Sequence, residues 1–495
     1  MLYLYGYIHS PENWISGLAL ISVSAITFLT AGNHGPSKKL AAGFIATAFI
    51  WSGLGVFVWL GGNDGNALHF GLWALTTDAQ IKPSGPFTNG NVFGIISACA
   101  WAIAVWQWLQ VKNSNWLWLA PVCFFWYMIV LSMSRGTWVA QGVIIVPIIF
   151  WIWKQRRSSL LPFILAGVLA WSAASITVSE IYPSSHVNIT ERFETSATYG
   201  FAGRIILWAS VWEVWKESPM LGVGIGNLGG HYLDGQSQAL QWLDPEYHGL
   251  KQTTSAHNTL LQLMAESGVI GLAIWITITV LLIQLCWLYR HHTLSLRWAA
   301  LSCAVMLWVQ GLFNISMSEP FPLLLFSLML GWSAAPLLRK SKKFKIPGKA
   351  LSFFMVGCFV VLTTAAFGTA QAWMNFETWL SLEQQHPAKG SLAVKLIQRS
   401  DIMPYVVETS ARDFITDSSK MDTVGKMQPF IEQALASQQR PLLLEELFFA
   451  QVVNSELEQA CRTGRFIQSQ KWKEIKNNVL YQQACRGENF LITGQ

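Results

Sequence analysis

Long apolar runs separated by short polar breaks fill the first three quarters of the chain. Crossing about 30 Å of hydrocarbon takes about 20 helical residues, and roughly ten runs approach that length. They centre in 13–31, 40–60, 92–111, 116–133, 137–153, 160–178, 268–288, 298–317, 323–338 and 350–370. Beyond Ala372 the pattern changes to apolar positions at helical spacing, as in 441–449 and 466–480, punctuated by Pro387, Pro404, Pro429 and Pro441. The pattern predicts an all-α polytopic membrane protein with about ten transmembrane helices. It divides the chain into a transmembrane domain, 1–371, and a small soluble α-helical domain, 372–495. A long polar stretch at about 179–257 is predicted to be a large extramembrane loop carrying an interfacial helix.

Composition agrees with the pattern. Hydrophobic residues make up 52% of the chain and charged ones 12%, against about 25% charged in ordinary soluble proteins. That excludes a disordered chain and argues against a purely soluble enzyme. Thirteen Lys and Arg, from Lys38 to Lys345, fall in one set of alternate loops, whereas the short loops of the other set hold Lys82 and Arg135. By the positive-inside rule the first set is cytoplasmic. The loop at 61–90, the long loop and the C-terminal domain are then expected on the far side. The net charge of +6 is therefore a topology signal, since the C-terminal segment is nearly neutral, and nucleic acid is not an expected partner. The opening segment, MLYLYGYIHSPENW, lacks the charged start and small-residue cleavage site of a signal peptide.

Candidate chemistry gathers in the far-side segments. The spans hold almost no mid-membrane charge, unlike those of an ion-coupled transporter. In the long loop, Arg204, Trp208, Trp212 and Trp215 recur at four, four and three residues and share one helical face. Indoles on such a face suit lipid or a lipid carrier, or packing on the bundle. A guanidinium at its head can take two phosphate oxygens at once. The segment Pro219–Asn227, with Gly222, Gly224 and Gly226, follows a helix and is expected to be a tight turn. His257 and Asn258 are expected to open the next helix, where free backbone N–H groups favour an anion. Glu266 lies further along that helix, with a supporting or packing role. Asn89 and Asn91 close one far-side loop, and Arg135 lies in a far-side turn.

Five cysteines sit in spans, while Cys461 and Cys485 lie in the C-terminal domain, a candidate disulfide in an oxidising compartment. No metal-ligand spacing and no phosphate-binding Gly-Lys-Ser/Thr loop is present. No cofactor is expected.

Taken in order, Gly85-Pro-Phe-Thr-Asn-Gly-Asn91, Ser134-Arg135-Gly136, Gly203-Arg204 with Trp208, Pro219-Met-Leu-Gly-Val-Gly-Ile-Gly-Asn227 and His257-Asn258 through Glu266-Ser-Gly-Val-Ile-Gly271 resemble the O-antigen ligase and polymerase superfamily. That superfamily includes the bacterial protein O-oligosaccharyltransferases that glycosylate pilins. The resemblance covers roughly 80–340 and implies a metal-independent glycan ligase of the bacterial inner membrane, with its active site and C-terminal domain facing the periplasm. The implied donor is an oligosaccharide on undecaprenyl diphosphate, within membrane lipids. Family function carries over to Arg204 and His257 as catalytic residues, then to Arg135. The arginines, with Arg192 and Asn258, would hold the diphosphate. His257 would either hold phosphate or take the acceptor proton. Trp208, Trp212, Trp215, Asn89 and Asn91 are candidate carrier or glycan contacts. Members often have more spans than this chain, which leaves room for helices upstream of Met1. The acceptor is expected to be a protein such as pilin, because a soluble C-terminal extension is commoner in protein-directed members. Lipid A core or a glycan repeat is the alternative acceptor, and a lipid-carrier transporter without covalent chemistry the alternative class.

Overall fold

The computed structural model describes residues 11–61, 68–70, 73–75, 83, 89–110, 119–181, 201–243, 253–290, 295–314, 317, 319–340, 403–415, 421–437, 440–469 and 479–486, with isolated positions between 375 and 396. The chain folds as an all-α polytopic membrane protein. Six of its described helical segments are long and apolar enough to cross a membrane.

The membrane bundle runs through α1 (Pro11–His34), α2 (Lys38–Gly61), α3 (Gly90–Gln110), α4 (Leu119–Leu131), α5 (Arg135–Gln155) and α6 (Leu160–Ile181). It continues with α9 (Thr259–Tyr289), α10 (Leu296–Gly311) and α11 (Pro320–Lys340). Nine of the ten apolar runs thus meet helices; the run at 350–370 lies outside the described residues. Two are shorter than expected: α4 has 13 residues and α10 has 16. Among the described residues the strands form one two-strand ribbon, β1 (Leu68–Phe70) antiparallel to β2 (Trp73–Leu75).

Helix α3 is the axis of the bundle, buried along almost its whole length and packed on α2, α4, α5 and α10. Its apolar residues reach all round the helix, as a helix without a solvent or lipid face requires. Small residues let helices approach where lipid gives no hydrophobic drive for association. A Cβ at Gly331 of α11 would lie 2.3 Å from the Phe28 carbonyl oxygen of α1.

The loop between α6 and α9 folds back as a hairpin of α7 (Phe201–Glu217) and α8 (Tyr232–Leu243). Val211, Val214, Leu228, Tyr232, Leu233 and Ala256 form its core. The hairpin closes tightly because Gly235 of α8 lets the backbone of Ser210 and the side chain of Val214 come within 3 Å of where a Cβ would be.

The C-terminal helices are α12 (Met403–Ile415), α13 (Met421–Ser437), α14 (Pro441–Val453), α15 (Leu457–Ser469) and α16 (Val479–Arg486). They pack around their own core, including Val407, Val424, Ile431 and Leu443. Cys461 of α15 and Cys485 of α16 form a disulfide across a Cα separation of 4.9 Å. Leu444 of α14 packs against the hairpin core, so this region touches the α7–α8 loop.

Candidate functional site

One end of the bundle collects polar side chains and the other collects cations. α3, α5, α9 and α11 begin, and α10 ends, at the polar end. Lys154, Arg156, Arg157, Arg290 and Arg297 lie at the opposite ends of the same helices, the asymmetry expected from the loop charges.

The turn Pro219–Asn227 is the strut of this site. Gly222, Gly224 and Gly226 all have positive φ, which explains why glycines alternate there. α9 is broken opposite the turn at Gly268, with φ 60° and ψ −142°. Val223 N–H donates to the Ala265 carbonyl at 2.8 Å, Gly224 N–H to Glu266 at 3.1 Å, and Val269 N–H to Pro219 at 2.9 Å. A Cβ at Gly222 would sit 2.3 Å from the Glu266 carbonyl carbon, and one at Gly268 2.4 Å from the Met220 carbonyl carbon. Two backbones therefore interlock where side chains cannot fit. Glu266 belongs to this lock: its carboxylate accepts from Gln262 Nε2 and from the Gly226 N–H, while Gln262 Oε1 accepts from Ala256 N–H at 2.7 Å. The lock fixes the segment that carries His257.

His257 occupies a left-handed backbone conformation, φ 47°, uncommon for a residue with a side chain. Its N–H donates to Ser255 Oγ at 3.1 Å. Asn258 is the N-cap of α9, its Oδ1 accepting from Leu260 and Leu261 N–H at 3.0 and 3.2 Å. Its side chain thus serves the helix start. Thr259 Oγ1 donates to the Gly311 carbonyl at 2.9 Å and ties α9 to α10.

Arg204 lies in the first turn of α7, half-buried, and its charge acts on the His257 ring. Burial lowers the Arg204 pKa. The His257 pKa is held below the ordinary histidine value by burial first and by the Arg204 charge second, opposed by a hydrogen bond with the Asn314 side chain. Among the described residues no carboxylate lies within salt-bridge distance of Arg204. A half-buried cation beside a neutral imidazole is a site that gains by taking an anion, since an anion offsets the cost of burying the charge.

A chain of neutral polar groups runs behind this pair. Asn91 N–H donates to Asn89 Oδ1 at 2.9 Å, and Asn91 Nδ2 to Asn314 Oδ1 at 3.4 Å. Gln310 Nε2 donates to the Asn91 carbonyl at 2.9 Å and to Thr137 Oγ1 at 3.2 Å, and Thr137 donates to Ser134 Oγ at 2.9 Å. Ser134 is the N-cap residue of α5, directly before Arg135. Gly94 makes room, since a Cβ there would meet Ser132 and Thr137 hydroxyls at 2.5 and 3.0 Å.

The structure therefore brings together Arg204, His257, Asn89 and Asn91, and places Arg135 at the head of the neighbouring helix. Trp212 is exposed on α7 and its ring lies 4.6 Å from that of Trp215; Trp208 is half-buried on the same helix. Arg192 and the loop residues 84–88 lie outside the described residues. Asn314 and Gln310, both buried, were not singled out in the sequence. Their signal was two amides, four residues apart, at the end of an otherwise apolar run.

Among the described residues no group of three His, Cys, Asp or Glu is placed to hold a metal ion. No curated protein matches the chain. Residues 120–276 match the model of the family described as O-Antigen ligase, a stretch that begins in α4 and includes Arg135, Arg204, His257 and the interlocked glycine turn. Over residues 120–276, about a third of the chain, the protein is thus similar to the O-antigen ligase family.

Proposed function

We propose that the protein is a periplasm-facing glycosyltransferase of the bacterial inner membrane that moves an oligosaccharide from undecaprenyl diphosphate to Ser or Thr of a protein acceptor such as pilin. The observation that carries this reading is the half-buried Arg204, without a carboxylate partner among the described residues, acting on His257 inside the O-antigen ligase match. In the reaction the acceptor oxygen attacks the anomeric carbon, the bond from that carbon to the diphosphate oxygen breaks, and the acceptor proton leaves. Charge grows on the departing diphosphate, where Arg204 stabilises it. His257, kept neutral by burial and by Arg204, has a ring nitrogen available to take the acceptor proton. Arg135, Arg192 and the Nδ2 of Asn258, whose Oδ1 caps α9, would complete the diphosphate site, and Trp208, Trp212 and Trp215 would meet the carrier or glycan. The disulfide Cys461–Cys485 supports an oxidising compartment for the C-terminal helices, and the charge asymmetry of the bundle supports the same side for the site.

A second reading, in which the acceptor is lipid A core or a glycan repeat, is also compatible with the match to the family described as O-Antigen ligase. One experiment separates the two: intact-mass analysis of a co-expressed pilin together with a lipopolysaccharide gel, from one host with and without this chain. The first reading predicts a glycan mass on pilin that disappears in inserted Arg204→Ala and His257→Ala variants. Unmodified pilin with restored O-antigen would replace it by the second. Neither change, with an active donor pathway, would sink both.

A further inference from the structure

The loop that ends in His257 is held one N–H at a time. Ser255 N–H donates to Thr253 Oγ1 at 3.1 Å, and the Thr253 hydroxyl donates to the Ser255 carbonyl at 2.9 Å. His257 N–H donates to Ser255 Oγ at 3.1 Å. These bonds reach two residues, so they shape the loop without placing it. The N–H between them, that of Ala256, donates at 2.7 Å to Oε1 of Gln262, in the first turn of α9. Ala256 is fully buried in the core of the hairpin, where an N–H without an acceptor is costly. Gln262 is gripped on its other side as well, its Nε2 donating to Glu266 Oε1 at 2.5 Å. Glu266 belongs to the backbone interlocked with the glycine turn, its carbonyl accepting from Gly224 N–H at 3.1 Å.

The direction of this relay is forced. A backbone N–H can only donate, so the Gln262 atom that faces Ala256 is the oxygen. The amide nitrogen then faces Glu266, where a carboxylate can only accept from it. His257 itself has φ 47°, a conformation that persists where the surroundings over-determine it. The residue before it is the one that Gln262 holds.

We propose that Gln262 is a positioning residue for His257: Glu266 fixes the direction of its amide, and the amide oxygen anchors Ala256, so that the left-handed turn at His257 carries the imidazole into the Arg204 site. Gln262 acts through the backbone. The relay joins the loop to the glycine lock, so the interlocked turn and the imidazole are placed together.

The inference rests on the proposed reading for its chemistry, but one of its two readouts does not need turnover. The full chain in detergent micelles, labelled at histidine with ¹³C and ¹⁵N, is titrated by NMR, and the His257 signal is identified by its loss in His257→Gln. The rate of glycan transfer is measured on the same samples. Gln262→Met removes the oxygen and keeps the bulk. It should lower the rate by about 10²-fold, as a displacement of about 1 Å can. The His257 titration should move toward the ordinary value of about 6.5 as the ring leaves burial and the Arg204 charge. Gln262→Glu keeps an oxygen for Ala256 but sets two carboxylates against each other, and should also slow transfer. Adding Glu266→Gln to it reverses the pair, with an amide at 266 donating to the carboxylate at 262 and the charge count of wild type. The double variant should regain about tenfold or more of the lost rate, a coupling typical of residues in one hydrogen-bond network, and the wild-type titration. Glutamine and glutamate have the same shape, so a packing role predicts no such recovery. Wild-type rate and titration in Gln262→Met overturn the proposal. Should that variant fail to fold, the glutamate pair decides, and a folded double variant no better than Gln262→Glu overturns it. Glycan transfer by wild type with a flat NMR response across the variants would leave the proposed function standing and remove the relay. The expected NMR response without transfer to any acceptor would do the reverse.

Discussion

Two half-buried arginines, one in each half of the chain, are held in opposite ways. Arg440, just ahead of α14, donates to both oxygens of Glu408, with Nη2 to Oε1 at 3.1 Å. Its guanidinium also lies 4.3 Å from the centroid of the Tyr405 ring. Arg204 acts electrostatically on His257 and has no carboxylate in reach among the described residues. The first arrangement satisfies a planar cation within the fold and is structural. The second leaves a charge to be neutralised by something brought to it. A similar contrast holds for the polar networks. In the C-terminal helices Gln428 Nε2 donates to Glu432 and Glu456 at 2.9 and 2.8 Å, and Asn454 Nδ2 donates to Gln428, so carboxylates terminate the chain of bonds. At the polar end of the bundle the chain runs through uncharged amides and hydroxyls, from Asn314 and Asn91 through Gln310 to Thr137 and Ser134.

The widest separation between the two arginines should appear in activity. Arg204→Ala is expected to lower glycan transfer by about 10²–10³-fold with little change in thermal unfolding, whereas Arg440→Ala should leave transfer per folded molecule unchanged. A loss of transfer in folded Arg440→Ala would break the comparison. Stability should show the reverse order. Cys461→Ser opens a 24-residue separation and should cost about 3 kcal/mol in the C-terminal helices, read by thermal melts of the full chain with and without reductant. Arg440→Ala, by leaving Glu408 half-buried without its cation, should cost about 1–3 kcal/mol. Gly268→Ala attacks the scaffold of the site and should cost at least about 1–3 kcal/mol for the positive φ, with the backbone of Met220 in the way of the new Cβ. Loss of transfer in step with folded protein, in that variant, marks the glycine lock as support for the site.

The smallest effect is electrostatic. Replacing Arg204 by Gln removes a positive neighbour, so the His257 titration should rise toward about 6.5, read by the same histidine NMR. The sign follows from linkage: the folded ring takes its proton at lower pH than the unfolded one. As pH falls from about 6.5 to the folded value, the unfolded chain binds more protons and stability decreases. In Arg204→Gln that loss of stability should shrink.

Much of the architecture was legible because single-residue properties carry it. Apolar length locates nine helices, loop charge separates the two ends, and alternating glycines at 222, 224 and 226 announce a turn that only positive φ permits. The partner of that turn was harder to read. Glu266-Ser-Gly268 looks like the middle of a helix, and its break is imposed by the backbone of Met220, 48 residues earlier, which fills the space of a Cβ. Asn258 was read as a diphosphate contact at a helix start; that its Oδ1 also caps that start is a detail the sequence pattern did not separate from anion binding. Asn91 and Asn314 show the limit most clearly. Neither has a local pattern, because their meaning is a hydrogen bond between helices whose contact no short window contains.

The most direct measurement is reconstitution. Purified chain is mixed with an undecaprenyl-diphosphate oligosaccharide and either a pilin or a lipid A core acceptor, and both the acceptor mass and the released undecaprenyl diphosphate are followed. The account predicts one glycan added to an acceptor for each undecaprenyl diphosphate released by wild type, and about 10²–10³-fold less of both products from folded Arg204→Ala, with a comparable loss in His257→Ala. Undiminished transfer by folded Arg204→Ala would contradict it.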